Sequence, residues 1–142
     1  MRGLSLVYCE LRKVGGMMLQ KFEDLKGCTI ASIEGAERLS EQIIITLDNG
    51  EKYQMFHYQS CCENVSVEDI IGDIDDLIGT PILMAEEAES GENPEGVEVE
   101  YQDSFTWTFY KLATIKGYVT IRWYGESNGW YSESVDFELV RQ

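Results

Sequence analysis

The run Phe105-Thr106-Trp107-Thr108-Phe109-Tyr110-Lys111-Leu112-Ala113-Thr114-Ile115, followed by Lys116-Gly117 and then Tyr118-Val119-Thr120-Ile121-Arg122-Trp123-Tyr124, decides the fold class. β-Branched and aromatic residues fill both runs, the residue types that suit a pleated, half-buried surface. After Gly125-Glu126-Ser127-Asn128-Gly129, the stretch from Trp130 to Leu139 repeats the pattern, so the C-terminal third predicts a three-stranded antiparallel meander. At period two, Phe105, Trp107, Phe109, Ala113 and Ile115 share one face. That face is expected to join Val119, Ile121 and Trp123, and Tyr131, Val135 and Phe137, in the core. Tyr110, Tyr118, Arg122, Tyr124, Ser132 and Ser134 fall opposite, with Trp130 near the turn.

Upstream, Phe22 to Leu25 predicts a short turn of helix ending at Gly27, and Cys28 to Ile33 a strand. Ile43 to Leu47 and Lys52 to Tyr58 flank Asp48-Asn49-Gly50-Glu51. Asn-Gly between apolar runs predicts a two-residue type I′ hairpin, because both residues tolerate positive φ. Val65 and Val67 alternate with polar neighbours, another strand. Asp73 is placed to cap Ile74 to Ile78, with Asp76 completing a carboxylate capping box and Gly79 and Pro81 ending the turn. Ile82 to Ala85 returns to extended structure, and Glu86 to Asp103, with Gly91, Asn93-Pro94 and Gly96, predicts a solvated loop or exposed ribbon. Together these elements predict an α+β domain: a mostly antiparallel sheet of about seven strands with one short helix.

The chain of 142 residues fits one domain, and its 44% hydrophobic and 11% aromatic content is that of a folded protein. Residues 19–142 are expected to form that domain. Residues 1–18 are expected to be a disordered leader or the result of a mis-assigned start, with initiation at Met17 or Met18. No apolar run approaches the ~20 residues of a membrane span. The four cysteines, Cys9, Cys28, Cys61 and Cys62, match no secreted disulfide framework, and adjacent cysteines are poor partners for one another. They are therefore expected to be reduced, in a cytosolic protein.

Charge is the strongest functional signal. No lysine or arginine occurs from Tyr53 to Tyr110, yet the segment after Cys62 holds fourteen carboxylates, and the net charge is -15. Such a field repels nucleic acid and anionic lipid and attracts basic surfaces, with a reach of about one Debye length, ~8 Å. Glu68, Asp69, Asp73, Asp75, Asp76, Glu86, Glu87, Glu89, Glu92, Glu95 and Glu98 are the expected contacts to a basic partner. Fixed carboxylates can imitate nucleic-acid phosphates, so a groove built for DNA or RNA is a natural target.

Other constellations have plainer readings. His57, Cys61, Cys62 and Glu63 lie together, but four zinc ligands at a structural spacing are absent; buried cysteines with His57 bonded to backbone explain them as well. A thiol nucleophile activated by His57 conflicts with the surrounding acids, which raise thiol pKa values. Asp69, Asp73, Asp75 and Asp76 do not follow the EF-hand spacing and are explained by helix capping. Arg122, Tyr124, Asn128 and Trp130 could line a pocket for a planar or sugar-bearing ligand; aromatics at period two more commonly fill a core. No catalytic residue, metal or cofactor is expected.

His57-Tyr-Gln-Ser-Cys61-Cys62-Glu63, Glu68-Asp69-Ile70 with Gly72-Asp73, Asp76-Leu77-Ile78-Gly79, Thr106-Trp107-Thr108-Phe109-Tyr110-Lys111, and Arg122-Trp123-Tyr124-Gly125 with Ser127-Asn128-Gly129 resemble an uncharacterised family of small proteins met in phage and prophage genomes. The likeness covers about Leu25 to Leu139. Ser60 departs from it, since relatives tend to have aspartate there, which weakens a metal site at this corner. The resemblance implies an accessory protein acting in the host cytoplasm, commonly against host defence. Combined with the charge, it predicts a non-enzymatic inhibitor that binds a basic nucleic-acid-handling host protein, such as a CRISPR effector nuclease, without binding nucleic acid itself; an oligomer is compatible with this. The alternatives are a module or sponge for a nucleotide-like signal, built from His57, Cys61, Cys62, Arg122, Tyr124, Asn128 and Trp130, and a structural metal-binding domain.

Overall fold

The computed structural model describes residues 18–141; the expected leader and alternative start fall largely outside that range. The elements are β1 (Ile30–Glu34), β2 (Gln42–Leu47), β3 (Lys52–Phe56), β4 (Asn64–Ile71), β5 (Met84–Ser90), β6 (Ser104–Thr114), β7 (Gly117–Ser127) and β8 (Asp136–Leu139), with 3-10 turns at Phe22–Leu25 and Ile74–Leu77. They form two four-stranded sheets, β1-β2-β3-β8 and β4-β7-β6-β5, with antiparallel pairing throughout. The fold is therefore all-β, and the expected α+β arrangement of about seven strands with a helix is wrong. The two helical segments are four residues each, too short to recover the cost of α-helix nucleation. Asp73 does cap the second turn, accepting from the Asp75 N–H, while the Asp76 N–H bonds the Asp73 carbonyl.

The predicted meander is also corrected. Its first two strands pair as expected, but β7 already has β6 on one side and β4 on the other, leaving no edge for a third strand. The chain after β7 instead crosses the inner face of its own sheet. Gly125 permits this, because a Cβ there would lie 2.3 Å from the Glu133 carbonyl oxygen. Only Asp136–Leu139 then forms a strand, and it pairs with β3 in the other sheet.

The faces of β6 are inverted from those expected. Thr114 pairs with Gly117 across the two-residue loop Ile115-Lys116. A loop of even length sets odd residues opposite even ones, so Tyr110 faces Ile121 and Leu112 faces Val119, all fully or almost fully buried. Phe105, Trp107, Phe109 and Ala113 share the outer face with Arg122 and Tyr124, and Ile115 is 73% exposed at the turn. Val119, Ile121, Trp123 and Val135 are buried as expected.

Both sheets contribute to one core: Ile43, Ile45, Leu47, Tyr53 and Met55 from the first, and Val65, Val67, Tyr110, Leu112, Val119, Ile121 and Trp123 from the second. Phe22 joins them, its ring 4.5 Å from that of Tyr110 and 5.8 Å from that of Phe137. The β2–β3 hairpin forms where predicted, with a different turn. Only Gly50 has positive φ, Gly50 N–H bonds the Leu47 carbonyl at 3.0 Å, and Leu47 N–H bonds Glu51 O at 2.8 Å. This is a three-residue loop closed by glycine, rather than type I′.

Candidate functional site

The corner from His57 to Glu63 is organised by one carboxylate. Glu63 Oε2 lies 2.8 Å from His57 Nε2 and accepts the Ser60 N–H at 2.9 Å, while Oε1 accepts the Cys61 N–H at 2.8 Å. His57 Nδ1 lies 2.7 Å from the Ser134 carbonyl, so both ring nitrogens face acceptors. Burial opposes ionisation of Glu63, but the bonds from His57, Ser60 and Cys61 outweigh it and hold the carboxyl at about 2. Both side chains are almost completely buried, and His57 has no nitrogen left to serve as a base.

Gathering the Ser60 and Cys61 N–H groups onto Glu63 bends the chain tightly, and Cys61 and Cys62 are joined as a vicinal disulfide. The expectation of reduced cysteines is corrected at these positions. It is also corrected at Cys28, which is disulfide-bonded, while Cys9 lies outside the described residues. Cys61 and Cys62 are exposed rather than buried, and as a disulfide they offer no thiol nucleophile. Among the described residues, no three His, Cys, Asp or Glu side chains are disposed to hold a metal.

A polar cleft of about 350 Å³ lies beside this corner, lined by Cys62, Asn64, Asp103, Glu126, Ser127, Asn128 and Tyr131. Strand pairing builds it: Asn64 opposes Glu126, and Ser104, next to Asp103, opposes Ser127. The two most separated resemblance motifs, His57 to Glu63 and Arg122 to Gly129, thus meet at one end of the β4–β7 pair. Beneath the cleft, Glu133 accepts hydrogen bonds from the Ser127 and Thr106 hydroxyls. Burial would raise the Glu133 pKa, but the Ser127, Ser104 and Thr106 hydroxyls overcome that and lower it, leaving a buried anion. Asn64, Glu126, Ser127, Tyr131 and Glu133 were not singled out from sequence. Carrying the register from Thr114–Gly117 to the far end of the hairpin would have found Ser127 opposite Ser104.

The predicted ligand-binding set is only partly brought together. Cys62 and Asn128 line the cleft; Trp130, 86% exposed, is not one of its lining residues, though its sequence neighbour Tyr131 is. His57 points away into the Glu63 corner. Arg122 and Tyr124 lie on the outer face of the sheet, where Arg122 grips Asp69 with two hydrogen bonds, Nε–Oδ1 being 2.6 Å. The Arg122 guanidinium also sits 5.5 Å from the Trp107 ring centroid. Trp107 is buried on this face because residues 91–103 cover it: Trp107 Nε1 donates to Asn93 Oδ1 at 3.0 Å, and Gln102 Nε2 donates to the Tyr124 hydroxyl at 2.8 Å. Part of the expected loop is therefore strand β5, and the remainder is anchored.

The predicted partner-binding acids divide into groups. Glu68 and Asp69 pair with Arg38 and Arg122, and Glu86 faces Lys111 across β5–β6. Asp73, Asp75 and Asp76 sit at the Lys116-Gly117 end of the β6–β7 hairpin, where Asp76 lies against Gly117. Glu92, Glu95 and Glu98 follow β5 at the other end. Eleven residues of β6 separate the ends, about 34 Å at ~3.4 Å per residue. The acids therefore do not form one row.

Fold and site define an all-β two-sheet protein of acidic composition, with a polar cleft at one end. A family model described as a domain of unknown function, DUF7448, matches residues 23–137, and the chain belongs to that family. No curated protein and no solved structure matches it. Among the described residues, no helix is long and apolar enough to cross a membrane.

Proposed function

We propose that the protein is a binding module for a basic protein surface, engaged by the carboxylates at the β5 end and along residues 91–103. The observation that carries this reading is the absence of counter-charge. Among the described residues, the arginine ion pairs consume Glu68 and Asp69, and no carboxylate from Glu87 to Asp103 has a cationic partner. The proposed contacts narrow accordingly to Glu87, Glu89, Glu92, Glu95 and Glu98, joined by Glu100 and Asp103. In its finer form, this is a phage accessory protein acting in the host cytoplasm as an antagonist of a nucleic-acid-handling enzyme, occluding a groove that DNA or RNA would enter. The rival reading, capture of a nucleotide-like anion, loses the cation it depended on, since Arg122 is engaged by Asp69.

A pull-down from host lysate at low and moderate salt tests the proposal, with wild type beside a Glu92→Gln, Glu95→Gln, Glu98→Gln variant. We expect wild type to recover a basic protein, with recovery falling as salt rises and in the variant. The recovered protein should also lose its hold on labelled nucleic acid when wild type is added. Recovery that ignores both salt and the substitutions would refute the reading.

A further inference from the structure

We infer that the cleft formed by Asn64, Asp103, Glu126 and Asn128 is a socket for an arginine side chain presented by the basic partner, an inference that rests on the reading above and gives it an anchor point.

Two exposed aromatics flank the lining residues in sequence. Trp130, 86% exposed, and Tyr101, 85% exposed, are the two barest large hydrophobic residues of the described chain. Both belong to the segments that build the cleft. Trp130 stands between the lining residues Asn128 and Tyr131, and Tyr101 lies two positions before the lining residue Asp103. The segments touch, Ser104 opposing Ser127 and lying against Gly129. Neither ring contributes to the core, and tryptophan and tyrosine are the residue types on which interface energy concentrates.

The lining supplies the complementary chemistry. Asp103 and Glu126 bring carboxylates and Asn64 and Asn128 bring side-chain amides, and among the described residues no lysine, arginine or histidine lines the cleft. One carboxylate oxygen of Glu126 is occupied by the Asp103 N–H at 3.2 Å, and Asn128 Oδ1 accepts the Trp130 N–H at 3.0 Å. These bonds fix the rim before anything arrives. A space of about 350 Å³ accommodates a side-chain head group, not a helix or a strand.

Guanidinium suits this combination better than ammonium. Its planar fork bonds carboxylates in its plane while its face stacks on an indole or phenol, and it is the more weakly hydrated cation. Lysine would satisfy the charge alone.

The test is calorimetric titration of the full chain with a short arginine-rich peptide, a lysine-rich peptide of equal length, and a neutral disaccharide. The variants are Trp130→Ala, the cleft pair Asp103→Asn with Glu126→Gln, and the loop pair Glu92→Gln with Glu95→Gln, which removes the same charge elsewhere. We expect the arginine peptide to bind about tenfold tighter than the lysine peptide, and Trp130→Ala to remove most of that preference. The cleft pair should weaken binding about tenfold more than the loop pair. Equal affinities for the two peptides, or equal losses in the two pairs, would overturn the socket and leave the acidic-surface reading standing. Binding of neither peptide at low salt would overturn both. Binding of the disaccharide alone, abolished by Trp130→Ala, would also overturn the socket, reassigning the cleft to a neutral ligand.

Discussion

Gly125 holds the crossing between the sheets open, so Gly125→Ala tests how the second sheet, the crossing segment and the cleft depend on one another. A Cβ at this position lies 2.3 Å from the Glu133 carbonyl oxygen and 3.0 Å from the Glu133 Cβ, where ordinary contact starts near 3.4 Å. Relief requires about 1 Å of movement by backbone. The segment is pinned, because Glu133 is held by Ser127 and Thr106 and Val135 is 7% exposed in the core. Overpacking of this kind costs about 1–3 kcal/mol, and disturbing the Glu133 hydrogen bonds adds about 1 kcal/mol. We expect a loss near 3 kcal/mol, roughly 10 °C in Tm for a chain of this size. Urea unfolding followed by tryptophan fluorescence measures it. Gly91→Ala serves as the control, since a Cβ there meets nothing within 4 Å, and its expected change is within about 0.5 kcal/mol. A Gly125→Ala protein as stable as that control would refute the crossing as described.

Glu63→Gln should change how stability depends on acid. The native carboxyl is held at about 2 against an ordinary value of 4.5, so its contribution is present above pH 4.5 and is lost as pH falls towards 2. The urea midpoint of the variant should therefore be lower at neutral pH and flatter between pH 4.5 and 2; a slope equal to that of wild type would show that Glu63 does not carry the effect. Thr108→Val should be neutral or stabilising by up to about 1 kcal/mol, because Thr108 Oγ1 is buried without a hydrogen-bond partner among the described residues and valine preserves its shape. A clear loss of stability in thermal unfolding would reveal a partner for that hydroxyl.

Strand positions were legible where residue type and turn chemistry agreed. The β6–β7 hairpin, the β2–β3 pair and the Asp73 cap follow from local signals, and each forms close to its expected place. What one strand's pattern does not contain is the parity of its neighbour. Both faces of β6 carry aromatic or apolar residues, so period two alone left two choices. The two-residue loop Ile115-Lys116 selected the one that buries Tyr110 and Leu112. The path of Trp130 to Leu139 was hidden for another reason. It depends on β4, from a distant part of the chain, occupying the edge of β7 that a meander would have used.

The same long-range pairing explains what was readable in the site. A run without lysine or arginine looks uncompensated in sequence, yet the fold brings Arg38, Lys111 and Arg122 to it from outside, against Glu68, Glu86 and Asp69. Glu68 and Asp69 are ion-paired, and Glu86 has Lys111 as its cross-strand neighbour. Counting charge along the chain overstated the field over β4 and at the start of β5, but not over residues 87–103, where no such cation arrives among the described residues. The cleft was invisible for the complementary reason: Asn64, Asp103 and Glu126 come from three strands or their ends, and each alone is an ordinary surface residue. Antiparallel register is what sets two carboxylates and two amides around one space. On the proposed reading, an acid-rich run specifies the sign of a partner's charge, while the pairing of β4, β6 and β7 specifies where on the surface a single basic side chain would be held.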